Sequence, residues 1–300
     1  VKIPFPPDAQ APATPAVPTG PLEVLRFAPE GDIPLAPFVS ITFSQPMAPL
    51  TSLENLSAAD VPVKIEPALD GTWRWLGVQT LTFETDSESF DRLPKATVFR
   101  ASVPAGTKSM TGGVLAQTVE WTFRTPPPVI VHKYPVDIPQ PVDPIIFIAF
   151  DQRINPAAVL ETIQVQAGGQ DVELALAKDE EIQANETVKN LVKDAAEGRW
   201  LAFRPQKKLA PDSAISVTVG PETPSAEGPL TTTDAQSFNF RTYAPLRVVD
   251  HGCAWGGDKC QPLTPFYIRF NNSIDSEAFQ EGMLRIEPQL PGASVNLYGD

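Results

Sequence analysis

The chain has 300 residues, 42% of them apolar, enough to bury the cores of two or three domains. Its net charge of −13 argues against a nucleic-acid partner, which needs clustered Lys and Arg, and no apolar run approaches the roughly 18 residues that span a bilayer. Proline, 34 of 300 residues, is the outlier; it breaks helices and interrupts ladders, so short strands joined by stiff corners are expected.

Residues 1–21 hold seven prolines and almost no periodicity, the composition of an extended, polyproline-like spacer or of an unstructured terminus. The chain opens on Val1 without an initiator Met, as a mature form would. A first unit, 22–126, begins at Leu22. Val39, Ile41 and Phe43 alternate with Ser40, Thr42 and Ser44, the period of a half-buried strand, and Gln45-Pro46-Met47 breaks it. Val61 to Ile65 and Leu81-Thr82-Phe83 predict further strands, with Trp73 and Trp75 on a hairpin. Thr97, Phe99, Ala101 and Val103 form one face, and Val119, Trp121 and Phe123 another. Roughly seven short strands with little helix predict an immunoglobulin-like sandwich.

A second unit, 127–243, repeats the plan after the linker Pro126-Pro127-Pro128, whose prolines are expected to stiffen the join. Ile146, Ile148 and Phe150 stand where Ile41 and Phe43 stood, and Asp151-Gln152-Arg153-Ile154 replaces Ser44-Gln45-Pro46-Met47. Phe203 matches Phe83, Leu209 matches Leu93 and Phe240 matches Phe123. The repeat is plainest between LPKATVFRASVPAGTKSMTGGVLAQTVEWTFRT (93–125) and LAPDSAISVTVGPETPSAEGPLTTTDAQSFNFRT (209–242), which both close on Phe-Arg-Thr. The second unit is longer between Phe150 and Phe203. There Val188, Leu191, Val192 and Ala195 share a helical face, with Gly198 as C-cap, which predicts a helical insertion near 180–198. Such an insertion could contact a partner or cover an open sheet edge.

A third unit, 244–300, starts with Phe266, Ile268 and Phe270, then Asn271-Asn272-Ser273-Ile274, and Met283 to Pro288 echoes Val63 to Pro67. It is partial, and the polypeptide is expected to continue. The fold class predicted is therefore all-β: tandem sandwiches with one helical insertion.

Chemistry is sparse along this array. His132 and His251 fall in different units, which leaves few members for a nucleophile–base pair, and no metal, cofactor or catalytic site is predicted. Cys253 and Cys260, with six residues between them that include Gly256-Gly257, read as a structural disulfide, or else as two free thiols; zinc would lack ligands. Asp179-Glu180-Glu181 reads as a solvated face, and Asp250 to Asp258 lacks the spacing of a calcium loop. Trp73, Trp75 and Trp255 could make a carbohydrate platform, although packing is the expected role of the first two. The sequons at Asn55, Asn185 and Asn271 matter only in a eukaryotic secretory setting.

The segments Val39 to Leu50, Trp73 to Thr85 and Leu93 to Pro128 resemble the N-terminal part of bacterial alpha-2-macroglobulins. More broadly, 22–300 resembles the Ig-like modules of bacterial surface and periplasmic proteins. The resemblance implies the scaffold end of a broad-spectrum protease inhibitor in the periplasm or cell envelope. Proteases would be its partners, through downstream regions, and a lipidated N-terminus outside this chain would tether it to a membrane. The family's Cys-x-Glu-Gln thioester motif does not carry over, because Ala-Trp-Gly follows Cys253 and Gln-Pro-Leu follows Cys260. A spacer in a surface adhesin and an accessory region of a secreted hydrolase are the alternative readings.

Overall fold

The computed structural model describes residues 20–34, 38–49, 61–85, 93–254, 260, 264–287 and 292–298. The spacer up to residue 19, Asn55, Trp255 and Asp258 lie outside them. The chain is all-β, built of immunoglobulin-like sandwiches. Its contacts divide it into two compact units. The first comprises 1–129 with 151–155 and 222–232, and the second holds the rest.

The first sandwich contains β1 (Val24–Ala28), β2 (Gly31–Asp32), β3 (Phe38–Phe43), β4 (Lys64–Glu66), β5 (Gly71–Leu76), β6 (Thr80–Thr85), β7 (Val98–Val103) and β8 (Val119–Arg124). One sheet has the order β1-β3-β6-β5, the other β2-β8-β7-β4. Alternation places Val39, Ile41 and Phe43 on the inner face of the first sheet. They meet Phe99, Ala101, Trp121 and Phe123 from the second. Each large side chain so buried contributes about 1.5–3 kcal/mol. Phe99 stacks on Phe123 with ring centroids 4.9 Å apart, and Phe27 stacks on Trp121 at 4.6 Å.

The second sandwich contains β9 (Ile130–Tyr134), β10 (Pro139–Gln140), β11 (Ile146–Phe150), α1 (Pro156–Leu160), β12 (Ile163–Ala167), β13 (Gln170–Asp171), β14 (Leu174–Leu176), α2 (Asp179–Ala184), α3 (Glu186–Asp194), β15 (Trp200–Pro205), β16 (Ala214–Val219) and β17 (Gln236–Thr242). Its sheets run β14-β15-β11-β9 and β10-β17-β16-β12-β13, so the strand order of the first sandwich recurs. The registers recur as well. Val39 faces Phe83 across β3 and β6, and Ile146 faces Phe203 across β11 and β15. Phe99 faces Phe123 across β7 and β8, and Ile215 faces Phe240 across β16 and β17. Even the short parallel pairs match: Asp32 lies opposite Arg124, and Pro139 opposite Arg241.

The insertion is two helices, α2 and α3, and its place is informative. Trp73 pairs with Phe83 where Leu176 pairs with Phe203, so the helices interrupt what is a simple hairpin in the first sandwich. They cover a sheet face rather than an edge. Ile182 and Val188 pack with Ile145, Phe147, Ala149 and Ala202, with Leu191, Val192 and Ala195 at the rim. The β11 strand is therefore buried on both faces, and its run IFIAF lacks polar alternation for that reason. The second helix is capped by Ala195, and Gly198 adopts φ +71° in the turn beyond it.

The third region contributes one antiparallel hairpin, β18 (Val248–Cys253) with β19 (Phe266–Phe270), and a 3₁₀ turn at Glu281–Met283.

Candidate functional site

Each early strand ends in a dipeptide that ties down the chain leading into its sandwich. In the first, Ser44 Oγ accepts from the Glu23 amide at 2.9 Å, and the Ser44 amide returns a bond to Glu23 O at 2.9 Å. In the second, Asp151 Oδ1 accepts from the Val129 amide at 3.0 Å, and the Asp151 amide donates to Val129 O at 3.0 Å. In the third, Asn271 Oδ1 accepts from the Arg247 amide at 2.8 Å, and the Asn271 amide donates to Arg247 O at 3.2 Å. Three different side chains do one job, because each places an acceptor oxygen within reach of a backbone N–H.

The next residue is a carboxamide every time. Gln45 Nε2 donates to Gly20 O at 2.7 Å, Gln152 Nε2 to Pro126 O at 3.2 Å, and Asn272 Nδ2 to Ala244 O at 2.6 Å. The carbonyl end of that amide takes a hydroxyl from a later loop. Ser109 and Thr111 donate to Gln45 Oε1 at 2.6 and 2.8 Å, and Ser225 donates to Gln152 Oε1 at 2.7 Å. Gln45 and Gln152 are almost wholly buried, where an unpaired amide would cost about 1–3 kcal/mol. Gly113 leaves the room: a Cβ there would strike the Gln45 carboxamide.

A second fastening explains Phe-Arg-Thr. Phe123 and Phe240 fill cores, while Arg124 and Arg241 form exposed pairs with Asp32 and Asp212. The Asp32 hydrogen bond and charge raise the pKa of Arg124. Thr125 Oγ1 accepts from the Thr97 amide at 3.1 Å and donates to Pro94 O at 2.9 Å. Thr242 Oγ1 accepts from the Ser213 amide at 2.9 Å and donates to Ala210 O at 2.7 Å. Between those contacts Ala96 and Asp212 turn through the left-handed region, φ 54° and 56°.

Compact unit 1 adds a cluster with no counterpart in the periodic pattern. The Lys95 ammonium pairs with Asp151, and Glu227 accepts from the Lys95 amide at 3.0 Å and the Arg153 amide at 2.8 Å. Gly228 lies so close to Lys95, Ala96 and Thr97 that a Cβ would collide with their backbone and hydroxyl oxygens. In sequence these residues carried no signal, since single charges in loops lack a period.

The remaining expected residues fall as follows. Cys253 and Cys260 are joined in a disulfide, with Cα atoms 5.5 Å apart, which fits an oxidising, extracytoplasmic compartment. Trp73 and Trp75 are core residues, 2% and 8% exposed, and offer no platform. His132 packs edge-on to Phe147, and His251 is exposed on β18. Asp250 accepts from Tyr267 at 3.1 Å and Arg269 at 3.3 Å, and the Asp250 bond raises the Tyr267 pKa. Asn185 caps α3 by accepting from the Val188 amide at 3.0 Å. Glu181, expected as solvated, accepts from the Lys178 amide at 2.8 Å and pairs with Arg204 at 2.7 Å. Those two contacts lower its pKa, the backbone bond being the larger cause. Among the described residues no cluster of three or more His, Cys, Asp or Glu could hold a metal, and no helix is long and apolar enough to cross a membrane.

No family model matches the chain. A curated relative, circularly permutated Ras protein 2 of Dictyostelium discoideum, is 24% identical over 220 residues. That match takes in 71% of this chain but only 6% of the relative. Among solved structures, an L,D-transpeptidase from Mycobacterium smegmatis is 13% identical at a TM-score of 0.25, covering 53% of this chain and 56% of its own. Native alpha-2-macroglobulin from Escherichia coli, spanning domains MG0-NIE-MG1, is also 13% identical at a TM-score of 0.25, covering 76% and 73%. Superpositions this weak assign no family. The polar constellations described above point to one kind of work, the ordering of backbone.

Proposed function

We propose that the chain is the non-enzymatic N-terminal scaffold of a bacterial alpha-2-macroglobulin-like, broad-spectrum protease inhibitor, carrying trapping domains that follow it. The observation that supports this reading is the use of polar side chains. Those of Gln45, Thr125, Gln152 and Thr242, each 1% exposed or less, are all committed to holding backbone. The segments that resemble the inhibitor family are the ones that form this fastened core in the first sandwich. A periplasmic or envelope location, with a lipid tether ahead of the proline-rich start, belongs to the same proposal, and the disulfide is compatible with it.

The test is protease shielding by the full-length protein. It should be mixed with proteases of different specificity and assayed on a small chromogenic peptide and on a large protein substrate. Trapping leaves the first activity and suppresses the second. If every protease kept both activities, the inhibitor reading would fail, and an adhesin-type spacer would take its place.

A further inference from the structure

The third hairpin begins as the two sandwiches do. Val248 lies opposite Phe270 with a bulge at Val249, as Val24 lies opposite Phe43 with a bulge at Leu25, and Ile130 opposite Phe150 with a bulge at Val131. This register puts Phe266, Ile268 and Phe270 in the positions of Val39, Ile41 and Phe43. The latter three are 0% exposed, whereas Phe266 is 69% and Ile268 42% exposed. A continuous apolar face of that kind marks a surface that expects a cover.

In the first sandwich the cover consists of Leu81 and Phe83 on the neighbouring strand and Phe99, Trp121 and Phe123 on the opposite sheet. All of them come later in the same repeat, and β15, β16 and β17 follow β11 in the same way. Two further features of the third region are half-made. Asn271 and Asn272 hold their leading backbone, yet the hydroxyl that completes the clasp comes 64 residues after Gln45 and 73 after Gln152. The segment Leu284 to Glu287, which echoes β4, forms no ladder among the described residues, and Ile286 is 41% exposed.

We propose that 244–300 is the opening part of a third sandwich, and that the β19 face is covered by strands of the same polypeptide. The register of the first two sandwiches places those strands between about residues 307 and 362. It also places a Ser or Thr at about residues 336–345, donating to Asn272 Oδ1. A strand from a second copy could pair with the edge of β19, but it would leave both the Asn272 carbonyl and the β4-like segment uncovered. The occupant is therefore the chain itself.

The test compares this 300-residue chain with one extended through the following ~65 residues of its reading frame, a length set by the repeat. Amide hydrogen exchange at Ile268 and Phe270 and binding of an apolar dye are measured on both. The extended chain should exchange at least about 100-fold more slowly at those amides and lose the dye signal. Replacing the Ser or Thr with Val should restore fast exchange around Asn272. Unchanged exchange in the extended chain would overturn the proposal. So would a 300-residue chain already protected as a dimer that Ile268→Lys converts to monomer. Protease shielding is a separate readout, so failure of the inhibitor reading leaves this result standing.

Discussion

Thr125 and Thr242 show how much one hydroxyl can settle. Each is 1% exposed and satisfies both an amide and a carbonyl of a left-handed turn. Valine has nearly the same shape without either bond. Thr125→Val and Thr242→Val should each cost about 1–3 kcal/mol in urea denaturation, because both backbone partners stay buried. A loss below about 0.5 kcal/mol at both positions would show that the turn stands without them. The motif Phe-Arg-Thr was legible in sequence as a repeat, but its division of labour was not. Sequence shows Phe123 and Arg124 by alternation, whereas the role of Thr125 depends on Pro94 and Thr97, thirty residues away. Gln45, Gln152 and Asn272 were visible only as the end of a strand. Their shared function needs the leading carbonyls of Gly20, Pro126 and Ala244, which no local period reveals.

Among the elements, the helical insertion was the most legible, since the spacing of Val188, Leu191 and Val192 is helical and the segment interrupts an otherwise repeated pattern, but that spacing reveals only α3, and α2 ahead of it went unread. What it covers was harder to read. The clue lay in β11, where Phe147 and Ala149 are apolar at positions that solvent would make polar. Deleting 178–197 and closing the hairpin should bare Ile145, Phe147, Ala149 and Ala202. The expected result is strong binding of an apolar dye, or aggregation, with the strand signal in circular dichroism retained. An unchanged, dye-free monomer would mean that the helices are dispensable for that sheet.

Acid should loosen the same element. The folded pKa of Glu181 is lowered, so its contribution is present above the unfolded value and is lost as pH falls through and below the ordinary carboxylate range. Amide exchange across α2 should therefore accelerate on acidification, and Glu181→Ala, which removes both the acceptor for the Lys178 amide and the charge facing Arg204, should show fast exchange already at neutral pH. Equal exchange in parent and variant at every pH would remove Glu181 from the account.

At the scale of the whole molecule, one design is used three times with different residues at its joints. The edge strands β1 and β9, together with β18, carry the same bulge, a device that re-aims a strand and discourages edge pairing. The tandem sandwich fold was accessible from alternation, proline content and self-similarity. The fastening was not, because Ser44, Asp151 and Asn271 share only an acceptor oxygen and differ in charge. Compact unit 1 gathers 151–155 and 222–232 for a similar reason: Glu227 and Gly228 act through backbone atoms of Lys95, Ala96 and Arg153.

The repeated clasp is the central claim, and native-state hydrogen exchange over the whole chain tests it most directly. The amides of Glu23, Val129 and Arg247 should be protected in the parent. Ser44→Ala, Asp151→Ala and Asn271→Ala should each release the one amide that its side chain accepts from and leave the other two unchanged. Should all three substitutions leave all three amides protected, or should any one of them unfold every repeat together, the clasp would not be the unit from which this chain is built.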